Sequence, residues 1–443
     1  MTPKRTARLY ALAICFAALL ETGCGAAYSG FMKSPLKRLE RGDYEGALDK
    51  LNKPVGDTDM LLYRLERGLI LHYQGKYEAS DRQFEKAERL IDKHFTRSVV
   101  REVGAFLTND AVRAYSGEEY ERALIHYYRA LNSLYLGNTE NALVECRKAN
   151  LRLRDFAAEA EYELTYRNDA FLQYLTGLLY EAEGEWNDAY ISYKDALKGY
   201  RAYRETFGMK TPTALQRDIT GLAAALGYEE DVEEYSERFH LQPGDLAQPQ
   251  GVEVIVFAES GFIARKRQRE ISIPILEEDD GKVWEVSEKA VHRYHHPRAR
   301  YHKVDYWLRV ALPEYEPVRS QVAGVRLSGA GNRVQGVLME DLDAIAIESF
   351  AEKEGTVLLR TVARGLAKYV PDKKLEEESS VLGTVFNLLG SSVEAADTRG
   401  WLSLPKTIWM VRLWLPPGTV DLDLEFLNAG GRVVDSHRFE EIE

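Results

Sequence analysis

The sequence predicts a multi-domain chain: an all-α helical solenoid at residues 24–240, a linker at 241–250 and an α+β domain with a mostly antiparallel sheet at 251–443. Three observations carry this. Two windows, 68–87 and 177–196, place small and aromatic residues at the same offsets. A polar break, "HLQPGDLAQPQG" at 240–251, carries two prolines and two glycines. Beyond it, Val- and Ile-rich segments alternate in strand fashion.

The chain opens with a basic lead, Lys4, Arg5 and Arg8, then an uncharged run at 9–20, then small residues. This is the layout of an export signal at 1–23, too short for a stable membrane span. Thr22-Gly23-Cys24 places a small residue directly before a cysteine. That is what lipoprotein processing requires: a thiol to alkylate with diacylglycerol and a small side chain for the peptidase cleft. Cys24 is the predicted lipidation site and the first residue of the mature chain. Glu21 stands where an aliphatic residue is usual, so an ordinary cleavage site releasing a soluble periplasmic protein is the alternative. Cys15 leaves with the signal and Cys24 is consumed by lipid. Cys146 alone remains, and no intrachain disulfide can form.

In the two windows the matched positions are Gly68/Gly177, Gly75/Gly184, Tyr77/Trp186, Phe84/Tyr193 and Ala87/Ala196. The first Gly lets two helices approach, the second ends helix A, and the aromatic starting helix B wedges against helix A. The late Ala makes room for the next unit. This resembles the tetratricopeptide (TPR) repeat, a pair of antiparallel helices. Fainter copies are read at Gly42, Tyr44, Ala47 and Leu51; at Tyr120, Ala123, Tyr127 and Ala130; and at Gly137, Ala142, Cys146 and Ala149. Cys146 thereby falls in an apolar helix slot and reads as buried. Thr211-Pro212 reads as the cap and first position of a closing helix pair at 213–239, broken at Gly227. Single repeats cannot bury their own apolar face, so they stack and leave a concave groove.

Twenty of the 26 tyrosines lie between residues 24 and 240. Tyr127 and Tyr128 are adjacent, so on a helix they cannot face the same core. Either they line an aromatic groove for a peptide or glycan, or they cover seams between helices with their hydroxyls in water.

In the second half, strands are predicted at 251–258, 269–275, 303–313, 318–327 and 332–340. Residues 341–369 read as one or two helices, with Gly355 as the break. Strands return at 407–415 and after the turn Pro416-Pro417-Gly418. There Val420, Leu422, Leu424 and Phe426 alternate with Asp421, Asp423 and Glu425, one apolar and one acidic face.

Together with the signal, four stretches resemble a family of TPR-bearing bacterial lipoproteins of the outer-membrane type. They are residues 120–153, "NDAFLQYLTGLLYEAEGEWNDAYISYKDAL", "VIVFAESGFIARKRQREISIPI" and "EAADTRGWLSLPKTIWMVRLWLPPG". The family has no agreed activity and no catalytic residues to carry over. The resemblance implies an envelope location and a scaffold role. Gly25 after the cysteine, as in Gram-negative lipoproteins, implies the outer membrane, facing the periplasm. One departure is Ile263-Ala264, where a proline-bearing turn is expected.

The mature chain has a net charge of −14, which argues against nucleic acid as a partner. Against this acidity two basic clusters stand out. One, at 292–303, holds His292, Arg293, His295, His296, Arg298, Arg300, His302 and Lys303 with Tyr294 and Tyr301; the other holds Arg265, Lys266, Arg267 and Arg269. They read as contacts for anionic lipid, lipopolysaccharide phosphate or an acidic partner, weakening above pH ~6.5 as the histidines lose charge, or else as surface charge and strand-edge protection. His292 and His296 are four apart, but Pro297 follows and no H-E-x-x-H pattern exists, so a solvated loop and no metal are expected. Residues 379–393 carry no charge and read as a buried helix or hairpin, or as a segment dipping into a membrane interface or a partner. Searches for G-x-S-x-G, Walker and G-x-G-x-x-G patterns are empty. No catalytic residue and no cofactor are predicted.

The expectation is therefore a non-catalytic, lipid-anchored cell-envelope scaffold binding a protein or peptide through a TPR-like groove, with Tyr127, Tyr128, Arg293, His295, His296, Arg298 and Arg300 as candidate contacts. A glycan- or lipid-handling accessory factor is the alternative, and a metal-dependent hydrolase the third reading.

Overall fold

A computed structural model describes residues 24–52, 56–100, 113–159, 166–246, 251–276, 304–378 and 395–442. The signal at 1–23, the histidine-rich cluster at 292–303 and the uncharged stretch at 379–393 lie outside the described residues.

Among the described residues, ten helices form five antiparallel pairs in chain order. They are α1 (Cys24–Leu39) with α2 (Tyr44–Lys50), α3 (Met60–Tyr73) with α4 (Tyr77–Val100), α5 (Glu119–Tyr135) with α6 (Thr139–Glu159), α7 (Ala170–Ala182) with α8 (Trp186–Thr206), and α9 (Thr213–Leu226) with α10 (Glu229–Phe239). Each pair turns at a left-handed glycine: Gly42, Gly75, Gly137, Gly184 and Gly227. Side chains start the helices. Asp43 caps α2 through the Gly46 N–H at 2.9 Å, Asp169 caps α7 through Leu172 at 2.8 Å, and Glu118 with Glu121 forms a capping box on α5.

The repeat glycines act by close approach. A Cβ on Gly68 would lie 2.7 Å from the Phe84 ring, and one on Gly177 would lie 2.3 Å from the Tyr193 ring. The aromatic of helix B thus fills the space where helix A has no side chain. Trp186 departs from the expected wedge: it is 46% exposed. The copies read at Tyr120–Ala130 and Gly137–Ala149 are not two units but the A and B helices, α5 and α6, of one pair. The reading failed because α5 is buried nearly all round, so apolar residues fall at both A-type and B-type spacings. Helix α9 begins at Thr213, with Pro212 in the capping position, one residue later than read.

The second half contains β1 (Val252–Ser260), β2 (Arg265–Leu276), β3 (Val304–Glu316), β4 (Gly324–Gly329), β5 (Asn332–Gln335), β6 (Val337–Asp341), α11 (Leu342–Glu378), β7 (Thr407–Leu415), β8 (Val420–Leu427) and β9 (Val433–Ile442). Among the described residues every strand pairing is antiparallel, in three sheets: β1-β7-β6, β2-β3 and β5-β4-β8-β9. The stretch 332–340 splits at Gly336 into strands of different sheets; a Cβ there would lie 2.2 Å from Val325 Cγ2. Gly355 does not break α11, which runs through it. Ile263 and Ala264 both use their N–H groups, to the Leu404 carbonyl at 3.0 Å and to Asp343 at 2.6 Å. A proline at either position would lose that donor.

The β1-β7-β6 sheet is the middle of three layers. Ile255, Phe257, Ile408 and Met410 face the helices and join their core. Val254, Val256, Ala258, Val411 and Leu413 face the four-stranded sheet, meeting Val325, Leu327, Leu422 and Leu424. Both faces are apolar because both are covered. The β2-β3 ribbon packs Ile271, Ile273, Leu308 and Val310 on Leu358 and Val362 of α11.

Candidate functional site

The inner face of the helical array is not open. Residues 395–406, between α11 and β7, run across it together with β1, β6 and β7. Trp401 is fully buried, with its ring centroid 5.7 Å from Phe84 and 5.9 Å from Tyr128. Its main-chain N–H donates to Glu121 at 2.7 Å, and that of Leu402 donates to Glu66 at 2.8 Å. Arg399 bonds Asp59 at 3.1 Å, the Arg113 carbonyl at 3.0 Å and its own neighbour Asp397 at 2.8 Å. The segment is thus held by two main-chain donors on fixed carboxylates, one buried aromatic ring and one arginine clamp.

The tyrosines explain themselves here. Tyr73 donates to Glu259 of β1, and Tyr128 donates to the same carboxylate at 3.0 Å. Tyr174 bonds Asp218, and Arg412 of β7 bonds both, reaching Glu253 at 2.6 Å as well. Tyr200 donates to the Met339 carbonyl at 2.9 Å, and Tyr203 to Glu340 at 3.3 Å. Tyr28 donates to Glu66 at 2.9 Å, and Tyr115 to Glu121 at 2.7 Å. A tyrosine buries a large apolar ring and still carries a donor at its tip, so it can meet a buried carboxylate without bringing a second charge.

Burial dominates the electrostatics. It pushes Glu66 up to about 7 and raises Glu121 and Glu259. Burial, with Asp169 nearby, raises Glu340 well above the carboxylate range. Glu118 is the exception. Burial works against its charge, yet Lys266 and Lys353 hold it well below the usual range. That triad ties α5 to β2 and α11.

Of the residues singled out in the sequence, Tyr127 and Tyr128 are both buried. Tyr128 faces Glu259 and Trp401; Tyr127 packs edge-on to Tyr128 at 4.9 Å and against Phe171 at 5.4 Å. Adjacent residues share one core because the second half covers what would otherwise be a free helix face. The open aromatic groove, and the seam cover with wet hydroxyls, are both corrected by this: the groove is aromatic and the chain itself fills it. Cys24 opens α1. Arg293, His295, His296, Arg298 and Arg300 lie outside the described residues. Three of the four bases of the second patch are paired within the chain: Lys266 is buried on Glu118, Arg267 pairs with Glu316 at 3.0 Å, and Arg269 pairs with Glu354 at 2.5 Å. Cys146 is buried, and burial pushes its thiol up to about 12. Among the described residues no group of three or more His, Cys, Asp and Glu could hold a metal.

Sequence reading missed Glu66, Glu121, Trp401 and Arg399. A signal existed: Glu66 sits in α3 amid Leu62, Leu65 and Leu69, a carboxylate on an otherwise apolar face. Such a group needs a donor from elsewhere in the chain.

The fold is a TPR-like helical array whose groove holds the chain's own α+β part. No family model and no curated protein matches the chain. Solved structures resemble it at low scores. MamA from Desulfovibrio magneticus RS-1 is 15% identical over 48% of this chain and 92% of its own, with a TM-score of 0.30. BtubC from P. vanneervenii is 18% identical over 52% and 84%, with a TM-score of 0.34. A signal-transduction ATPase with a tetratricopeptide repeat sensor, from Pyrococcus horikoshii, is 18% identical over 47% and 28%, with a TM-score of 0.27. Scores this low say nothing of what this chain binds; the repeat assignment rests on the glycine–aromatic pairs above.

Proposed function

We propose that the chain is a non-catalytic, lipid-anchored scaffold of the cell envelope, held at the outer membrane and facing the periplasm. In it a TPR-type peptide groove is engaged in cis, so that array and α+β part form one rigid platform for a protein or peptide partner. The observation that carries this reading is the binding of Trp401 and Leu402 to Glu121 and Glu66 through main-chain N–H groups. That is recognition chemistry, turned inward.

The anchor is supported by the signal layout, which puts a small residue directly before Cys24. Among the described residues no helix is long and apolar enough to cross a membrane, so the lipid would be the attachment there.

Metabolic labelling with palmitate tests the anchor. Label should enter the wild-type chain and be absent from Cys24→Ala, which should leave the membrane fraction. Crosslinking in cells followed by mass spectrometry tests the platform: one protein captured repeatedly supports it, and glycan or lipid capture instead favours the accessory-factor reading.

A further inference from the structure

Arg122 lies on α5 away from the filled groove, on a stripe with Ile125 and His126. Its guanidinium lies over the Phe156 ring, 4.1 Å from the centroid, and its Nε donates to the Ser116 carbonyl at 3.0 Å. These contacts fix the plane of the group. They leave its two terminal nitrogens without a hydrogen-bond or ion-pair partner among the described residues. Arg122 lines a cavity of 210 Å³ between α4, α5 and α6, with Ile91, Ile125, Phe156 and His126 also in its walls.

The other bases there are engaged. Arg152 is 3.0 Å from Asp92. His126 Nδ1 is 2.7 Å from Glu145, and Glu88 on the same wall is held by Arg129 at 2.7 Å. Burial lowers Arg122 from the ordinary arginine value, against the opposing pull of Glu119 and Glu118. Arg122 is thus partly desolvated with its fork unoccupied, an arrangement that favours an incoming anion. A planar guanidinium stacked on an aromatic ring matches a carboxylate in bidentate fashion.

We propose that this cavity binds a small carboxylate, seated on the free edge of Arg122 with its carbon skeleton against Ile91, Ile125 and Phe156. The carboxylate can belong to a free small acid or to the end of a short peptide; the volume takes about ten non-hydrogen atoms. Glu88, Asp92 and Asp155 in the same walls favour a singly charged anion over a phosphate dianion.

Isothermal titration of the whole chain with acetate, trialanine, trialanine amide and inorganic phosphate tests this. Acetate or trialanine should bind, with the amide and phosphate at least roughly tenfold weaker. Arg122→Gln should cost roughly tenfold or more, and Arg122→Lys less than that, because a point charge replaces the fork. Acetate binding alone assigns a free acid; tighter trialanine binding assigns a peptide end. The proposal is overturned if neither carboxylate binds by about 10 mM, if the amide or phosphate binds as well as the acid, or if Arg122→Gln binds like the wild type. Should Arg122→Gln not fold, Phe156→Leu replaces it: it keeps the charge, removes the platform and should weaken binding several-fold, and unchanged binding counts against the site.

Discussion

The main-chain N–H of Leu402 donates to the carboxylate of Glu66 at 2.8 Å, across 336 residues of sequence. The same Glu66 oxygen accepts from Tyr28 of α1. One buried acid therefore joins the first helix, the second repeat and the segment that enters β7.

Glu66 makes this joint sensitive to pH. Its folded pKa is pushed up to about 7 from an ordinary value of 4.5. An acid raised in this way binds its proton more tightly when folded, so the stability it lends is whole below the unfolded value and is lost as pH rises through 7. Glu121 and Glu259, also raised by burial, act in the same sense. Urea unfolding should show stability falling from pH 5 to pH 8. Glu66→Gln, which keeps an acceptor for Leu402, should flatten that fall by about 2–3 kcal/mol. Equal pH slopes for the two proteins would refute the assignment.

Trp401 anchors the inserted segment with a ring packed on Phe84 and Tyr128. Trp401→Ala should lower stability by about 3–5 kcal/mol. It should also open residues 395–406 to limited proteolysis, read by mass spectrometry of the first cut. A cut pattern identical to wild type would mean the segment holds without its anchor.

The repeat glycines and a helix glycine without crowding make a matched pair. Gly177→Ala drives a methyl into the Tyr193 ring, 2.3 Å away, and should cost about 1–3 kcal/mol. Gly221→Ala in α9 meets nothing within 4 Å and should gain about 0.5–1 kcal/mol. Thermal unfolding of both variants checks the sign of each change.

Arg412 holds Asp218 of α9, Tyr174 of α7 and Glu253 of β1 at once. Arg412→Ala should cost about 3–5 kcal/mol, because it strands a buried carboxylate. Arg412→Met with Asp218→Leu should recover much of that loss, since an apolar pair can replace a buried ion pair. A double variant no more stable than Arg412→Ala would show that Glu253, not Asp218, is the partner that matters.

Local pattern was enough to read the helical array, its glycine turns and the alternation of β8, though not that α5 and α6 make one pair. Each depends on residues close in sequence, where 3.6-residue and 2-residue periods, and the need for a left-handed glycine, leave a direct trace. Gly68, Phe84, Gly177 and Tyr193 were legible as a repeat for that reason. What only the tertiary structure decided is what covers the array. Tyr127 and Tyr128 look on a helix as though one must face solvent; both are buried because a sheet arrives from 130 residues further on. Lys266 looks like part of a basic surface patch and is instead buried on Glu118, 148 residues earlier. Trp401 sits in a stretch without helix or strand period, so nothing local marks it as the filling of a groove. Side-chain periodicity records whether a face is apolar, but the identity of the group that buries it is a long-range contact and leaves no period behind.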